Sequence, residues 1–268
     1  MADVLDDDYD ELVLVSDEQD DHLAPLTAPA NAKKRKRREK EKEKKRRKLA
    51  EAVVPVVQTI ADRSPTHLAA YLASIQAKAF PDHSQIELND LEIPDSAIAD
   101  TTTWSEPRSL DELVPFIIKM LPTLHTRLGQ KSKSNGAPTL LFIAGAALRV
   151  ADATRVLKDK NLRGDKGGEV AKLFAKHFKL SHHVSYLKRT KIGTAVGTPG
   201  RIGKLLCETD ALSISALTHI ILDISFIDAK QRTLLDIPET RDEVFKSVLA
   251  APQILKAIKE GTIQVVLF

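Results

Sequence analysis

The chain has 268 residues, of which 43% are hydrophobic and 29% are charged, so it carries enough apolar side chains for a folded core. Its one cysteine, Cys207, cannot form an internal disulfide, and this excludes a disulfide-rich secreted scaffold. No apolar run approaches the roughly 20 residues that a membrane helix needs, and the acidic N-terminus is unlike a signal or transit peptide. We therefore expect a soluble intracellular protein with no membrane partner.

The charges are segregated along the chain. Residues 1–32 carry ten acidic residues and no lysine or arginine, whereas residues 33–48 carry thirteen basic and three acidic residues. Because such blocks cannot bury enough apolar surface to offset ordering entropy, we predict that residues 1–60, the acidic tail and the basic arm, are disordered. Two basic clusters at the ends of the arm are typical of nuclear import or nucleic-acid backbone binding, and otherwise of a solvated linker. The clusters are Lys33, Lys34, Arg35, Lys36, Arg37 and Arg38, then Lys44, Lys45, Arg46, Arg47 and Lys48.

A predicted helix and a wrapping segment make up residues 64–109. Ser64 is a candidate N-cap, Pro65 fits the first helical position, and the apolar residues that follow recur with helical spacing. Prolines then interrupt residues 81–108, which we expect to lie extended on a surface. Trp104 is expected to anchor this segment as an apolar side chain, the alternative being a base-stacking role.

Residues 110–268 alternate between helical and strand patterns. Short, continuous apolar runs are typical of buried parallel strands. Strands that alternate with helices predict an α/β lobe with a parallel sheet and helices on both faces. The predicted order is helix 110–128 with a kink at Pro122, strand 139–144, helix 146–158, helix 169–179, weak strand 183–187, strand 192–196, helix 198–207, strand 219–224, helices near 229–235 and 239–249, and strand 263–268.

Three pieces of this lobe resemble the first RecA-like domain of a DEAD-box helicase. Val196–Leu206 resembles the strand, Thr-Pro-Gly-Arg turn and helix of that family, and His219–Asp223 resembles the strand that delivers the DEAD sequence. Leu234–Ile237, followed by Arg241–Leu249, resembles the pair of helices after that strand. The resemblance implies a single RecA-like, P-loop-NTPase-like lobe over residues 110–268.

The same resemblance implies residues that contact RNA. In the helicase family the Thr-Pro-Gly-Arg turn contacts the RNA backbone, and Thr198, Gly200 and Arg201 stand at these positions. A helix N-terminus favours phosphate and an arginine adds a fork of donors, so the chemistry of the turn agrees. Arg149 lies where a second RNA-contacting motif is expected, and it either contacts RNA or lies on a helix surface.

Lysines form a further candidate patch. Lys172, Lys176 and Lys179 fall on one face of the predicted helix 169–179. This face either binds RNA phosphates or is an ordinary solvated helix face.

The sequence departs from the helicase pattern where ATP chemistry resides. A P-loop needs glycine amides and a lysine for the phosphates, yet Trp104–Leu110, just before the matching helix, contains neither. Asp223, Ile224, Ser225 and Phe226 stand at the DEAD position, and an isoleucine cannot orient an attacking water. Because Val265–Phe268 stand where the next helicase motif would begin, we also expect no second RecA-like lobe. We therefore expect a degenerate nucleotide site, no cofactor and no enzyme activity.

A larger set of motifs resembles the Cms-one family, helicase-like proteins associated with the snoRNA-containing small-subunit pre-ribosome. The set comprises Arg163–Gly168, Val170–His177, Gly197–Ile202 and Leu235–Arg241. The resemblance implies a non-catalytic ribosome-assembly factor of the nucleus and nucleolus. Its implied partners are pre-ribosomal RNA or a snoRNA-containing particle, together with ribosome-assembly proteins.

Metal and hydrolase chemistry are not indicated. His182 and His183 have no metal-ligand spacing with Cys207, and no serine lies in a nucleophile-elbow context. Two alternatives to an RNA-binding lobe stay open. One is a protein-interaction module whose basic arm alone meets RNA, and the other is a residual nucleotide-binding enzyme.

Overall fold

A computed structural model of the chain describes residues 59–268, apart from Lys131 and His177. The predictions for the acidic tail and the basic arm up to residue 58 lie outside the described residues. The described residues belong to one compact unit. None of the helices in the described part of the chain is long and apolar enough to cross a membrane.

Ten α-helices, one π-helical segment and five strands are the main elements of the described residues. Proline stands at the first turn of several helices, where its missing N–H costs nothing. Pro122 separates α3 from α4, as expected of a proline inside a helical pattern. The elements are α1 (Pro65–Ala79), α2 (Gln85–Leu91), α3 (Leu113–Met120), α4 (Pro122–Leu128), β1 (Leu140–Ile143), α5 (Ala147–Leu157), α6 (Lys160–Arg163), β2 (Glu169–Leu173), α7 (Leu180–Arg189), β3 (Ile192–Gly197), α8 (Pro199–Cys207), β4 (His219–Leu222), α9 (Pro238–Asp242), the π-helical segment Glu243–Leu249, α10 (Pro252–Lys259) and β5 (Gln264–Leu267).

The five strands form one parallel sheet in the order β2-β3-β1-β4-β5. Central β1 pairs with β3 through Ile143 and Gly197, and with β4 through Ile143 and Leu222, so these three strands end side by side. The predicted α/β class with a parallel sheet is therefore confirmed. Ligands of open parallel sheets bind outside the carboxyl ends of the strands, so this edge is where a site is expected.

Alternate strand residues feed two apolar cores, one on each face of the sheet. Leu141, Ile143 and Leu222 join the core covered by α1, α8, the π-helical segment and α10. Leu140 and Phe142 join the core covered by α3, α4 and α5. This alternation follows from the two-residue period of a strand, and it explains why strands buried on both faces are apolar throughout.

The wrapping segment is packed into the lobe. Trp104 is buried, and its ring meets Phe116 edge to face at 5.3 Å between centroids, so the expected apolar anchor is confirmed. Ile98 makes a single parallel bridge to Val265 of β5. The loop that follows this bridge leads directly into the turn before α3.

Four predictions are wrong. Residues 81–108 are not extended throughout, because Gln85–Leu91 form helix α2, which Ser84 caps at its N-terminus. Residues 169–173 form edge strand β2, not a helix, because pairing with β3 overrides the helical preference of lysine and alanine. The predicted strand at 183–187 lies inside α7, whose buried His183 and Leu187 have the four-residue spacing of a helix. Residues 229–235 form turns.

The lysine face predicted for residues 169–179 therefore does not exist. Lys172 lies in β2, whereas Lys176 and Lys179 lie in the connection to α7. Residues seven positions apart share a face in a helix, but this spacing does not place side chains together in a strand followed by a loop.

Candidate functional site

Arg149 and Asp223 form a buried ion pair at the carboxyl edge of β1 and β4. Arg149 Nε lies 2.6 Å from Asp223 Oδ2, and Nη2 lies 3.2 Å from Oδ1. The Ser225 hydroxyl donates to Asp223 Oδ1 at 2.7 Å and accepts from Arg149 Nη2 at 2.8 Å. Because the Asp223 side chain is fully buried and that of Arg149 is 13% exposed, this pair is shielded from solvent.

This pair occupies the position that matches the DEAD sequence. Asp223 follows β4, and its N–H donates to the Ile143 carbonyl of β1. Ile224 is buried, and the Arg149 guanidinium lies 5.5 Å from the centre of the Phe226 ring. Both carboxylate oxygens of Asp223 are therefore bound by side chains of the lobe itself.

The loop at residues 100–109 stands where a P-loop is expected, between a strand-like bridge and a helix. It contains no glycine and no lysine. Arg108 is buried in it, with Nε 3.0 Å from Asp62 Oδ1 and Nη2 2.8 Å from the Ala61 carbonyl. Its Nη1 donates to the Leu267 carbonyl at 3.1 Å, so this arginine links the residues just before α1 to β5.

The Thr198–Arg201 turn opens α8 beside the same edge. Thr198 is the N-cap residue, and its hydroxyl makes no capping hydrogen bond. The Gly200 N–H donates to the carboxylate of Glu243, the first residue of the π-helical segment. A methyl group at Gly200 would overlap this carboxylate. A side-chain anion of the protein therefore already occupies the helix N-terminus that would suit a phosphate.

Burial and neighbouring groups act in opposite directions on the pKa of the Glu243 carboxyl, and the net effect is a rise. Burial raises the pKa of the Glu243 carboxyl, whereas the hydrogen bond from Gly200 and the charge of Lys204 oppose the rise. Gly203 continues the same contact, because a methyl group there would overlap the Cβ of Ser247. The sequence signal for this packing is the Gly200 and Gly203 spacing, but nothing local identifies Glu243 as its partner.

Arg201 points inward and is only 8% exposed. Its Nη2 donates to the Phe178 carbonyl at 2.8 Å. Nε and Nη1 have no hydrogen-bond partner in the described part of the chain, and burial lowers the pKa of this guanidinium. His183 is also buried, and burial, followed by the charges of Arg201 and His182, lowers the pKa of its imidazole to about 4. The neutral form of His183 is thus favoured beside the arginine.

The structure brings only part of the predicted site together. Arg149 and the Thr198–Arg201 turn lie at the same edge of the sheet, because β1 and β3 are paired there. Lys172 lies within β2, and Lys176 is exposed in the following loop. The described residues contain no group of three or more His, Cys, Asp or Glu side chains positioned to hold a metal ion.

Comparison with known proteins gives relatives of one kind. The chain is 40% identical over 173 residues to protein CMS1 of Chaetomium thermophilum, covering 65% of this chain and 67% of that protein. It is 35% identical over 198 residues to protein cms1 of Schizosaccharomyces pombe, covering 74% and 68%. Protein CMSS1 of Homo sapiens is 34% identical over 185 residues, covering 68% of this chain and 61% of that protein. The matched stretch thus spans about two thirds of these relatives.

Solved structures give more distant matches. A DEAD box protein from Methanococcus jannaschii matches with 15% identity and a TM-score of 0.35, covering 61% of this chain and 37% of that chain. Mss116p bound to single-stranded RNA and AMP-PNP matches with 15% identity and a TM-score of 0.41, covering 77% and 40%. The matched region is therefore less than half of either solved chain.

A family model for CMS1, described as a U3-containing 90S pre-ribosomal complex subunit, matches residues 18–268. This match covers most of the chain, including the whole described lobe, and agrees with the relatives above. The chain belongs to the CMS1 family of pre-ribosomal complex subunits.

Proposed function

We propose that this protein is a non-catalytic subunit of the small-subunit pre-ribosome in the nucleolus, where it binds pre-ribosomal RNA and assembly proteins. Family membership supports a role in ribosome biogenesis. The observation that carries the non-catalytic part is the ion pair between Arg149 and Asp223. Both oxygens of the Asp223 carboxylate are hydrogen-bonded within the lobe, at the position where a helicase would need a free acid.

Hydrolysis of a nucleoside triphosphate needs groups that bind the phosphates and the metal ion and orient the attacking water. Asp223 is bidentately paired, and Ile224 beside it has no polar side chain. The loop at residues 100–109 offers no lysine, and its buried Arg108 is bound to Asp62 and to backbone carbonyls. The engagement of Asp223 and Arg108 by other groups of the protein supports the non-catalytic proposal.

RNA contact is proposed for the basic arm and for the lobe. The arm carries thirteen basic residues within residues 33–48, and such a segment binds phosphates with an affinity that falls steeply with salt. At the Thr198–Arg201 turn, a phosphate would have to displace the Glu243 carboxylate from Gly200. Backbone contacts of this kind position RNA and carry little sequence information.

One observation favours the second candidate function, a lobe that binds only proteins. Three residues expected to contact RNA are already engaged within the lobe. Arg149 pairs with Asp223, the Gly200 N–H is bound by Glu243, and Arg201 is buried under the Phe178 carbonyl.

Nucleotide binding tests the non-catalytic proposal. The full chain is melted with and without about 5 mM Mg-ATP, and phosphate release is followed with and without RNA. We expect no shift in melting temperature and no release above the background of the Asp223→Asn variant. A ligand that binds only the folded state must raise its stability, so a clear upward shift would contradict the proposal. RNA-stimulated release that the variant abolishes would do the same.

RNA binding separates the two candidate functions. One full-length variant has its eleven arm-cluster residues changed to glutamine, and a second carries Arg201→Ala. Residual RNA binding by the arm variant that Arg201→Ala weakens further supports the RNA-binding lobe. Complete loss in the arm variant, with no effect of Arg201→Ala, supports the protein-binding lobe.

A further inference from the structure

One stretch of the lobe is free of acidic residues. Residues 170–207 contain no aspartate or glutamate but eight lysines and arginines. Residues 49–268 as a whole sum to a formal charge of only +3, so the rest of the body carries −5. The positive charge of the lobe is therefore concentrated between β2 and the end of α8.

Helix α7 lies in the middle of this stretch and presents a polar face. Its buried side chains are His183, which packs against Phe178, and Leu187, which joins the apolar core on one face of the sheet. The opposite face is exposed, and the residues before and after the helix extend it. We call this surface the α7 face, and it comprises Lys179, Ser181, His182, Ser185, Arg189 and Lys191.

The cations of the α7 face are not neutralised. Within the described residues, Lys179, Arg189 and Lys191 have no carboxylate within 4.0 Å, the limit for an ion pair. Arg189 Nε donates to the Ser185 carbonyl at 3.1 Å, which keeps the guanidinium on this surface. Two ion pairs adjoin this surface. Lys188 pairs with Asp210 at 2.8 Å, and Glu169, whose N–H donates to the Lys191 carbonyl, pairs with Arg163 at 3.4 Å.

The surface matches the chemistry of a nucleic-acid backbone. Phosphates are bound by lysine and arginine together with serine hydroxyls, and the α7 face combines these groups without a carboxylate of its own. The ten-residue helix is about 15 Å long, so the cations at its two ends can meet different phosphates of one strand. Arg149 and Arg201, by contrast, are held inside the lobe.

We infer that the α7 face binds the phosphate backbone of RNA. This inference rests on the proposed RNA contact and assigns it to a surface outside the Thr198–Arg201 turn. The cations that carry it are Lys179, Arg189 and Lys191.

The test measures binding of a fluorescent oligouridylate of about 24 nucleotides across a salt series. The triple variant Lys179→Gln, Arg189→Gln, Lys191→Gln is compared with the wild type, in the full chain and in the full-length arm variant. Each lost phosphate contact lowers the slope of log affinity against log salt by about 1, so we expect a slope smaller by about 2 to 3. Affinity at about 50 mM salt should fall about tenfold or more.

Two controls keep the result specific. Arg155→Gln, Lys158→Gln, Lys160→Gln removes three exposed cations from a surface that also carries Asp152 and Asp159, and it should leave the slope within about 1 of wild type. Lys179→Arg, Arg189→Lys, Lys191→Arg keeps the charges and should retain the wild-type slope. Melting curves of the glutamine variant should overlay those of the wild type, because all three side chains are exposed.

The inference is overturned if the α7 triple variant binds RNA with the wild-type slope, or if both glutamine triples lose the same affinity. It is also overturned if the arm variant alone binds no RNA and the α7 triple changes nothing in the full chain. In that last case RNA contact belongs to the arm, and the second candidate function, a lobe that binds only proteins, is supported. If the wild type itself bound no RNA across the salt series, the RNA part of the proposed function would be contradicted instead.

Discussion

Two buried arginines at one edge of the sheet differ in how many of their guanidinium donors are hydrogen-bonded. Arg149 donates to both oxygens of Asp223 and to Ser225, so its charge is balanced and its donors are used. The Arg201 guanidinium makes one hydrogen bond, from Nη2 to the Phe178 carbonyl, and its Nε and Nη1 have no partner in the described part of the chain. Sequence patterns make both arginines candidates for RNA contact, but the structure gives them different energetic roles.

The difference in hydrogen bonding implies that removal of Arg149 and removal of Arg201 should have different effects on stability. A buried ion pair stabilises little compared with apolar packing, but removal of one partner strands the other charge. A buried guanidinium with unused donors already bears part of that cost, so its removal should cost little. Four predictions test the contrast, and the most damaging change comes first.

Arg149→Met should be the most damaging change. It leaves the fully buried Asp223 carboxylate without its cation, and we expect a loss of about 3 to 5 kcal/mol in the free energy of unfolding. Urea unfolding of the full chain measures this loss. The double variant Arg149→Met, Asp223→Leu should recover most of it, and a loss below about 1 kcal/mol in the single variant would contradict the contrast.

Acidification should lower the free energy of unfolding, because His183, which lies beside Arg201, becomes protonated. The pKa of His183 is about 4 in the folded state, against an ordinary value of 6.5, so the unfolded chain binds more protons between these values. Stability from this group is therefore complete above pH 6.5 and is lost as the pH falls toward 4, by up to about 3 kcal/mol. Chemical unfolding between about pH 4 and pH 7 should show a smaller loss for His183→Gln than for wild type.

The neighbouring His182 provides the control for this titration. His182 is exposed, so His182→Gln should keep most of the wild-type loss on acidification. An equal pH dependence in wild type and His183→Gln would mean that His183 is not held neutral in the fold.

Gly200→Ala should disturb the contact between α8 and the π-helical segment. The new methyl group overlaps the Glu243 carboxylate, which must leave the Gly200 N–H, and we expect a cost of about 1 to 3 kcal/mol. Gly129→Ala is the matched control, because a methyl group there meets only ordinary contacts at 3.7 Å or more. Urea unfolding compares the two, and Glu243→Ala in the Gly200→Ala background should restore part of the loss.

Arg201→Met should have the smallest effect of the four. It removes a buried charge whose Nε and Nη1 are unpaired, so the free energy of unfolding should change by less than about 1 kcal/mol. Urea unfolding beside Arg149→Met provides a matched pair of substitutions. If both variants lost about 3 kcal/mol or more, the two arginines would be equivalent and the comparison would fail.

Much of the fold is predictable from the sequence because its central strands are strongly patterned. The apolar runs at Leu140–Ile143 and His219–Leu222 predict buried parallel strands, and Pro122 predicts the break between α3 and α4. The edge strand β2 is missed because Glu169–Leu173 contains charged residues and good helix formers, and its strand state depends on pairing with β3. Strength of local pattern therefore separates the correct predictions from the wrong ones.

The candidate site follows the same rule. Thr198, Gly200 and Arg201 can be found from sequence because they are contiguous and precede a helix. Their partners cannot, because Glu243 is 43 positions beyond Gly200, and the Phe178 carbonyl that binds Arg201 carries no side-chain signal. The ion pair of Arg149 with Asp223 joins residues 74 positions apart, and no short-range sequence pattern predicts it.

Charge segregation, the α/β class and the family follow from the amino-acid sequence, because they depend on composition, hydrophobic period and contiguous motifs. The tertiary structure decides instead which cations are bound by groups inside the lobe and which are exposed on its surface. The physical reason is that a guanidinium is neutralised only by the groups packed against it. Those groups, Asp223 for Arg149 and the Phe178 carbonyl for Arg201, come from elements that only the fold brings together.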